Sequence, residues 1–191
     1  MKRKNMNLKY LEQCGNNYEE TGVDLNRNYG VAWDKPGGSS EDPCAENYRG
    51  EAPFSEPETR AIGEFLIAHR DEIKFVYNFH SYGNMYLWPF NSQSPNNIAT
   101  KYLTIFNEIW EDSSFPAGTL RGNAWESLRY TSSGEQSDWI LGALGIPSIC
   151  PEIGSSNFFS YDFVIPYRSV LIEVLEENIN WLENTYSKIG N

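Results

Sequence analysis

His80, one of two histidines in the chain, stands where an apolar segment gives way to a polar loop. The segment 75–79 (FVYNF) is typical of a strand that is buried on both faces, and Ser81, Tyr82 and Gly83 follow the histidine. Sites form at strand ends in open α/β sheets, so this imidazole could bind a metal ion or act as a catalytic base. A hydrogen-bonded histidine in the core is the alternative interpretation, because histidine is often partly buried.

The helix that would precede this strand is marked by start signals. Ser55 and Glu58 fit a capping box, and Pro57 falls near the first turn, where its missing N–H costs nothing. Apolar or partly apolar residues then recur at helical spacing, which predicts the buried face of the helix. These residues are Ile62, Phe65, Leu66 and His69.

The remaining segments alternate between strand and helix patterns. Residues 22–29 are typical of a strand that ends in a polar loop, and residues 30–56 form a long loop rich in Gly, Pro, Ser and Asp. A helix is predicted over 98–111, a buried strand over 145–154 and a last helix over about 167–186. This alternation predicts an α/β fold whose sheet is strongly parallel, in one domain over residues 1–191.

Composition narrows the classes of function. A net charge of −11 argues against nucleic acid as the main partner, because a phosphate backbone requires clustered Lys and Arg. No apolar run approaches the about 20 residues that a membrane span needs. The first ten residues, MKRKNMNLKY, contain no apolar core and therefore do not resemble a signal peptide.

The chain has three cysteines, Cys14, Cys44 and Cys150, so at least one thiol stays unpaired within the molecule. The absence of a CxxC pair argues against a structural zinc site built from thiolates. A bridge between Cys14 and Cys44 would close a loop of about 30 residues and stabilise the fold by a few kcal/mol in an oxidising compartment.

Five ordered motifs together resemble the zinc metallocarboxypeptidases of the pancreatic carboxypeptidase A/B type. The motifs are GVDLNRNY at 22–29, DPCAENYRGEAPFSEPET at 42–59, FHSYGNMYLWPF at 79–90, YTSSGEQSDW at 130–139 and PSICPEIG at 147–154. The resemblance implies a mixed, largely parallel twisted sheet flanked by helices. It also implies one zinc ion and hydrolysis of the C-terminal peptide bond of peptides and proteins. A catalytically inactive homologue that binds C-terminal carboxylates is the alternative.

The resemblance also implies catalytic roles for individual residues. His80 would be a zinc ligand, and Glu152 would be the general base that activates water, since a buried strand end can raise a carboxylate pKa. Arg3 matches the arginine that stabilises the oxyanion. Asn26 and Arg27 would bind the terminal carboxylate of the substrate, because a guanidinium pairs bidentately with a carboxylate. Ordinary structural roles remain the alternatives for Glu152, Arg27 and Arg3 when each is taken alone.

Other implied roles concern the substrate side chain and the environment of the protein. Tyr130 would close over the bound C-terminus, Ser81 and Tyr82 would contact substrate, and Cys150 would line the specificity pocket. Ser137 falls where the family places its selector of the terminal side chain, and Glu135 could attract Lys or Arg ends. Cys14 and Cys44 match a disulfide pair of the family, which implies secretion. We expect a monomer without nucleic acid or membrane partners.

One part of the family pattern is missing. Two of the three zinc ligands come from an upstream HxxE motif that this chain does not contain, so we expect a fragment that lacks the N-terminal part of the catalytic domain. His69 and Glu72 have HxxE spacing, but the strand between His69 and His80 spans about 18–20 Å, so the two histidines cannot share one ion. We therefore expect weak zinc affinity and no hydrolysis from the isolated chain. A different α/β hydrolase is disfavoured because no GxSxG elbow is present.

Overall fold

A computed structural model describes residues 2–111 and 118–154, together with residues 182, 183 and 186. The strands are β1 (Val76–Tyr77), β2 (His80–Ser81), β3 (Met85–Leu87), β4 (Leu120–Gly122) and β5 (Ser148–Ile153). The helices are α1 (Pro57–Ala68), α2 (Thr100–Glu111), α3 (Ala124–Leu128) and α4 (Gln136–Trp139), with a 3₁₀ turn at Leu25–Arg27 and a π-helical turn at Ile140–Leu144. The last helix predicted over 167–186 lies outside the described residues, apart from the three isolated positions.

The sheet has the order β1-β5-β3-β4, and β2 also pairs with β5. Strand β5 is parallel to β1 and β2 and antiparallel to β3, whereas β3 and β4 are parallel. Among the described residues, three of these four pairings are parallel, which confirms the predicted mixed, largely parallel sheet. The register places His80 directly opposite Glu152, so the sheet itself joins two residues that are distant in the chain.

Strand β5 holds the sheet together because it pairs with β1, β2 and β3. The first four residues of β5 are buried and the last two are partly exposed, as the predicted strand over 145–154 requires. The predicted strand over 75–79 is wrong in extent, since β1 has only two residues and both are half-buried. Among the described residues, β1 stands at the end of the strand order and its strand pairing is with β5, so its side chains are less covered than those of a central strand. Phe79, just beyond β1, is 44% exposed.

Helix α1 begins one residue later than the predicted capping box implies. Pro57 occupies the first turn as expected, but the N-cap residue is Glu56, and it makes no side-chain capping bond. The capping box of Ser55 is wrong because its hydroxyl donates to Glu56 Oε1 and accepts from Asn28 Nδ2 instead. The predicted apolar face is only partly correct: Leu66 is buried, but Phe65 is 58% exposed.

Two apolar clusters form the core. The first lies between the sheet and α2 and contains Tyr86, Trp88, Phe106, Ile109 and Ile149. The second lies beside α1 and contains Tyr29, Leu66, Trp139, Ile140 and Ile146. The helix predicted over 98–111 is therefore confirmed, with its apolar face packed on the sheet. Residues 30–56 contain no helix or strand, as predicted, and only an isolated bridge joins Ser40 to Tyr48.

The segment 22–29 does not form the predicted strand. It folds into the 3₁₀ turn at Leu25–Arg27, because the Asp24 side chain accepts a hydrogen bond from the Asn26 N–H and turns the backbone. The N-terminal segment before it is tied to the long loop by a disulfide between Cys14 and Cys44. Cys150 is free and buried. No helix within the described ranges has the length and apolar character that crossing a membrane would require.

Candidate active site

The carboxyl end of β5, β2, the 3₁₀ turn and the loop before α4 surround a cavity of about 470 Å³. Seven of the nine predicted site residues line it: Arg3, Asn26, Arg27, His80, Ser81, Tyr130 and Glu152. Glu135 and Cys150 also line the cavity. Parallel neighbours bring their carboxyl ends to one edge, and this edge is where His80 and Glu152 lie side by side.

His80, Cys150 and Glu152 form the chemical centre of the cavity. Cys150 and Glu152 are two residues apart on β5 and therefore point to the same face of the sheet. One donor atom from each of these three residues lies within 4.8 Å of the others. Within the described ranges no other His, Cys, Asp and Glu side chains form a group of this kind.

Burial controls the protonation of this group. Burial lowers the pKa of His80, which favours the neutral imidazole that a metal ion requires. Burial raises the pKa of Glu152, and the negative charge of Glu135 raises it further, whereas Arg3 and Arg27 oppose both effects. A raised pKa makes this carboxylate a stronger proton acceptor.

The donor set of the centre fits zinc. An imidazole nitrogen, a thiol sulfur and a carboxylate oxygen are all ligand types that zinc accepts. The alternative pair, His69 and Glu72, is not part of this group: His69 Nδ1 lies 3.5 Å from Glu72 Oε1, and both side chains are largely exposed. The residues that could hold a metal ion therefore lie at the cavity and not at the end of α1.

Arg27 is held rigidly at the wall of the cavity. Its Nε donates to the carbonyl of Gly38 at 2.6 Å, and one terminal nitrogen donates to the carbonyl of Asn26 at 2.8 Å. The same nitrogen lies 3.5 Å from Glu135 Oε1. Because these contacts fix the plane of the guanidinium, Arg27 presents a preorganised group to a carboxylate.

Asn26 and Arg3 are fixed by neighbours in the same wall. The side-chain oxygen of Asn26 accepts from the Gln136 N–H at 3.0 Å and from Asn78 Nδ2 at 3.3 Å. Arg3 donates from Nε to Asp24 Oδ2 at 2.6 Å, and the Asp24 carboxylate is buried. Asp24 therefore organises the 3₁₀ turn and positions Arg3 at the same time.

The other predicted residues are placed differently. Tyr130 lines the cavity and is 45% exposed, so it stands at the rim. Tyr82 is exposed and is not part of the cavity wall. Ser137 is fully buried in α4, its carbonyl accepts from Ser148 Oγ, and its side chain does not line the cavity.

A buried polar network behind the cavity was missed from the sequence. Asn91 donates from Nδ2 to Glu135 Oε2 at 2.7 Å, and the Asn91 and Ser92 N–H groups donate to the two oxygens of Asp138. Burial and the charge of Glu135 raise the pKa of Asp138 to about 7. The two acids in SSGEQSDW were a visible signal, but nothing in the sequence marks Asn91 as their partner.

Comparison with known proteins relates this sequence to one family. The sequence profile of the family described as zinc carboxypeptidase matches residues 1–180. Human mast cell carboxypeptidase A is 35% identical over 142 residues, which cover 73% of this chain and 32% of the relative. Carboxypeptidase B of Astacus astacus is 28% identical over 190 residues, which cover 87% of this chain and 57% of the relative.

Solved structures show the same fold. Bovine thrombin-activatable fibrinolysis inhibitor, solved in complex with a tick carboxypeptidase inhibitor, superposes with a TM-score of 0.72 at 25% identity and covers 88% of this chain and 57% of its own. Carboxypeptidase A of Helicoverpa armigera gives a TM-score of 0.70 at 24% identity, and the match covers 87% of this chain and 42% of the other. The chain spans about a third to somewhat over half the length of these relatives. The chain belongs to the zinc carboxypeptidase family.

Proposed function

We propose that these residues form part of a zinc-dependent metallocarboxypeptidase that hydrolyses the C-terminal peptide bond of peptides and proteins. The observation that carries the proposal is the single cavity that contains Arg27, His80 and Glu152. A carboxylate-binding arginine, a neutral imidazole and a carboxylate with a raised pKa are the groups that recognition of a C-terminus and metal-assisted hydrolysis require.

Each residue of the cavity has a role in this proposal. His80 would hold the zinc ion, which supplies a Lewis acid at the scissile carbonyl. Glu152 accepts a proton from water, Arg3 stabilises the developing oxyanion, and Arg27 binds the terminal carboxylate. Asn26 supports Arg27 in binding the carboxylate through its amide.

Further contacts with substrate are proposed around the mouth of the cavity. Tyr130, which stands at the rim, closes over the bound C-terminus. Ser81 lines the wall of the cavity, and Tyr82 contacts substrate outside it. The proposed role of Ser137 is to shape the side-chain pocket from behind, because its own side chain is fully buried.

We infer that the 191 residues are one partial catalytic domain, with further zinc ligands supplied from outside them. The matched relatives extend well beyond the aligned region, which supports this inference. The isolated chain should therefore bind zinc weakly and hydrolyse nothing. The disulfide between Cys14 and Cys44 supports an extracellular, oxidising location. We further propose a monomer.

The test of recognition uses a peptide with a free C-terminal carboxylate and the same peptide with an amidated end. We expect the protein to bind the free carboxylate more tightly than the amide, and Arg27→Ala to remove this difference. The matched control is Arg60→Ala, because Arg60 is an exposed arginine on α1. Equal binding of both peptides by the unmodified protein would contradict the assignment of Arg27.

The test of catalysis uses the whole zinc-loaded protein. Glu152→Gln removes the general base and should lower kcat about 10²- to 10⁴-fold, whereas Glu64→Gln, an exposed change on α1, should not alter it. A whole protein that binds the free carboxylate with zinc present but hydrolyses no peptide would favour the alternative, an inactive homologue that binds C-termini.

A further inference from the structure

We propose that Glu135 makes this cavity selective for C-terminal residues with a cationic side chain, lysine or arginine. The inference rests on the proposed function, since it names the substrates of the same site. It assigns a specificity-determining role to Glu135, whereas Ser137 stands where the family motif places its selector. The Ser137 side chain is fully buried and does not line the cavity.

The Glu135 carboxylate is fixed inside the cavity wall. Glu135 directly precedes α4, its side chain is only 8% exposed, and it lines the cavity. Asn91 Nδ2 donates to one oxygen at 2.7 Å, while the other oxygen lies 3.5 Å from a terminal nitrogen of Arg27. A carboxylate held by two buried partners keeps its position when a ligand enters, so it can select by charge.

Glu135 faces the same space as the reacting groups of the site. It lines the cavity together with His80, Tyr130, Cys150 and Glu152. Because its side chain is largely shielded from solvent, its carboxylate is directed at the space where substrate would bind.

The contact between Glu135 and Arg27 determines which substrates are disfavoured. A terminal carboxylate that pairs with Arg27 is brought close to the carboxylate of Glu135, and two like charges in a partly buried site repel each other. A neutral or acidic terminal side chain leaves this repulsion uncompensated. A lysine or arginine side chain places a cation beside Glu135, and this cation offsets the repulsion between the two carboxylates. Attraction of cationic side chains and repulsion of the other substrates therefore both favour lysine and arginine.

The rest of the wall suits a long cationic side chain. Leu87 and Cys150 line the same cavity and offer apolar surface to a hydrocarbon stem. Lysine and arginine bury such stems while their charged ends seek a polar partner. The cavity therefore provides Arg27 for the carboxylate, apolar surface for the stem and Glu135 for the charge.

The experiment measures kcat/KM of the whole zinc-loaded protein for two peptides that differ only in their last residue, lysine or leucine. We expect the unmodified protein to prefer lysine. Glu135→Gln should reduce the lysine-to-leucine ratio on the order of 10- to 100-fold, the range of one charge-assisted hydrogen bond. Glu135→Asp keeps the charge and should retain the preference. Glu64→Gln makes the same charge change on the exposed face of α1 and should leave the ratio unchanged.

A second measurement separates specificity from catalysis. Calorimetric titration with N-acetyl-lysine and N-acetyl-leucine should show the same preference for lysine without turnover. Equal cleavage or equal binding of the two ligands by the unmodified protein would overturn the role of Glu135 and leave the proposed hydrolysis intact. Preferential binding of N-acetyl-lysine without cleavage of either peptide would support Glu135 and contradict the proposed hydrolysis.

Discussion

At the scale of single residues, the buried Asp138 shows how a group outside the cavity supports groups within it. Its two oxygens accept the backbone N–H groups of Asn91 and Ser92 at 2.8 and 2.9 Å. Asn91 in turn holds Glu135 through its side-chain amide. Asp138 therefore fixes the segment after β3 that positions Glu135, although it does not line the cavity itself.

The stability of the protein should depend on pH through Asp138. Burial and the charge of Glu135 raise its folded-state pKa from 3.8 to about 7, so between pH about 4 and 7 the folded state holds a proton that the unfolded state has released. The contribution of Asp138 to the free energy of unfolding should therefore fall as pH rises through this window. Urea unfolding at several pH values, for the unmodified protein and for Asp138→Asn, measures the difference.

In Asp138→Asn this contribution disappears, so the pH slope of the free energy of unfolding should become less negative. Asp71→Asn is the matched control, because Asp71 is exposed, and it should leave the slope unchanged. Parallel pH curves for the unmodified protein and Asp138→Asn would contradict a raised pKa at Asp138.

At the scale of elements, the site depends on how the loop before α4 packs against the 3₁₀ turn at Leu25–Arg27. Gly134 approaches this turn so closely that an added Cβ would lie 2.2 Å from the carbonyl oxygen of Arg27. The Gly134 carbonyl also accepts from the Tyr29 N–H at 3.0 Å. A residue with a side chain at position 134 would therefore push the loop that carries Glu135 away from Arg27.

Gly134→Ala should destabilise the protein more than its backbone angle alone explains. Gly134 has φ +70°, and alanine in this left-handed region costs about 1–2 kcal/mol. Gly15 has a similar φ of +66° with nothing within 4 Å of an added Cβ, so Gly15→Ala measures the backbone cost alone. Denaturant unfolding should show a larger loss for Gly134→Ala, and titration should show weaker carboxylate binding. Equal losses of stability in the two variants would contradict the close packing.

At the scale of the whole molecule, the N-terminal segment is held without helix or strand. Lys4 is buried, and its ammonium donates to the carbonyls of Glu20, Pro43 and Ala45. The disulfide between Cys14 and Cys44 links the same segment to the long loop. These connections keep Arg3 at the cavity.

Breaking the disulfide should weaken this attachment. The two cysteines are 30 positions apart, and a bridge across a loop of this length stabilises by about 3–4 kcal/mol. Denaturant unfolding with and without reductant should show a loss of this size in the unmodified protein. The double variant Cys14→Ser, Cys44→Ser should have the stability of the reduced protein, with or without reductant. A stability of the double variant equal to that of the oxidised protein would contradict this contribution.

Strong periodic segments were predictable from the sequence, whereas weak ones were not. The helix at Thr100–Glu111 follows its apolar spacing, and β5 lies within its apolar run, because both elements bury their apolar residues in one core cluster. The stretch 22–29 forms no strand, since the bond from the Asn26 N–H to the Asp24 side chain outweighs a short apolar pattern. The exposed Phe65 shows that helical spacing predicts which residues share one face of a helix, but not which of them are buried by packing.

The sequence by itself determined the family, the mixed sheet, the disulfide pair and most of the residues that line the cavity, because ordered motifs and cysteine positions are local features of the chain. Only the tertiary structure decided that Glu135 contacts Arg27, that Asn91 and Asp138 stand behind it and that Ser137 is buried away from the cavity. The physical reason is that the direction of a side chain and the charge beside it depend on packing between segments distant in sequence. No spacing within one segment encodes such a contact.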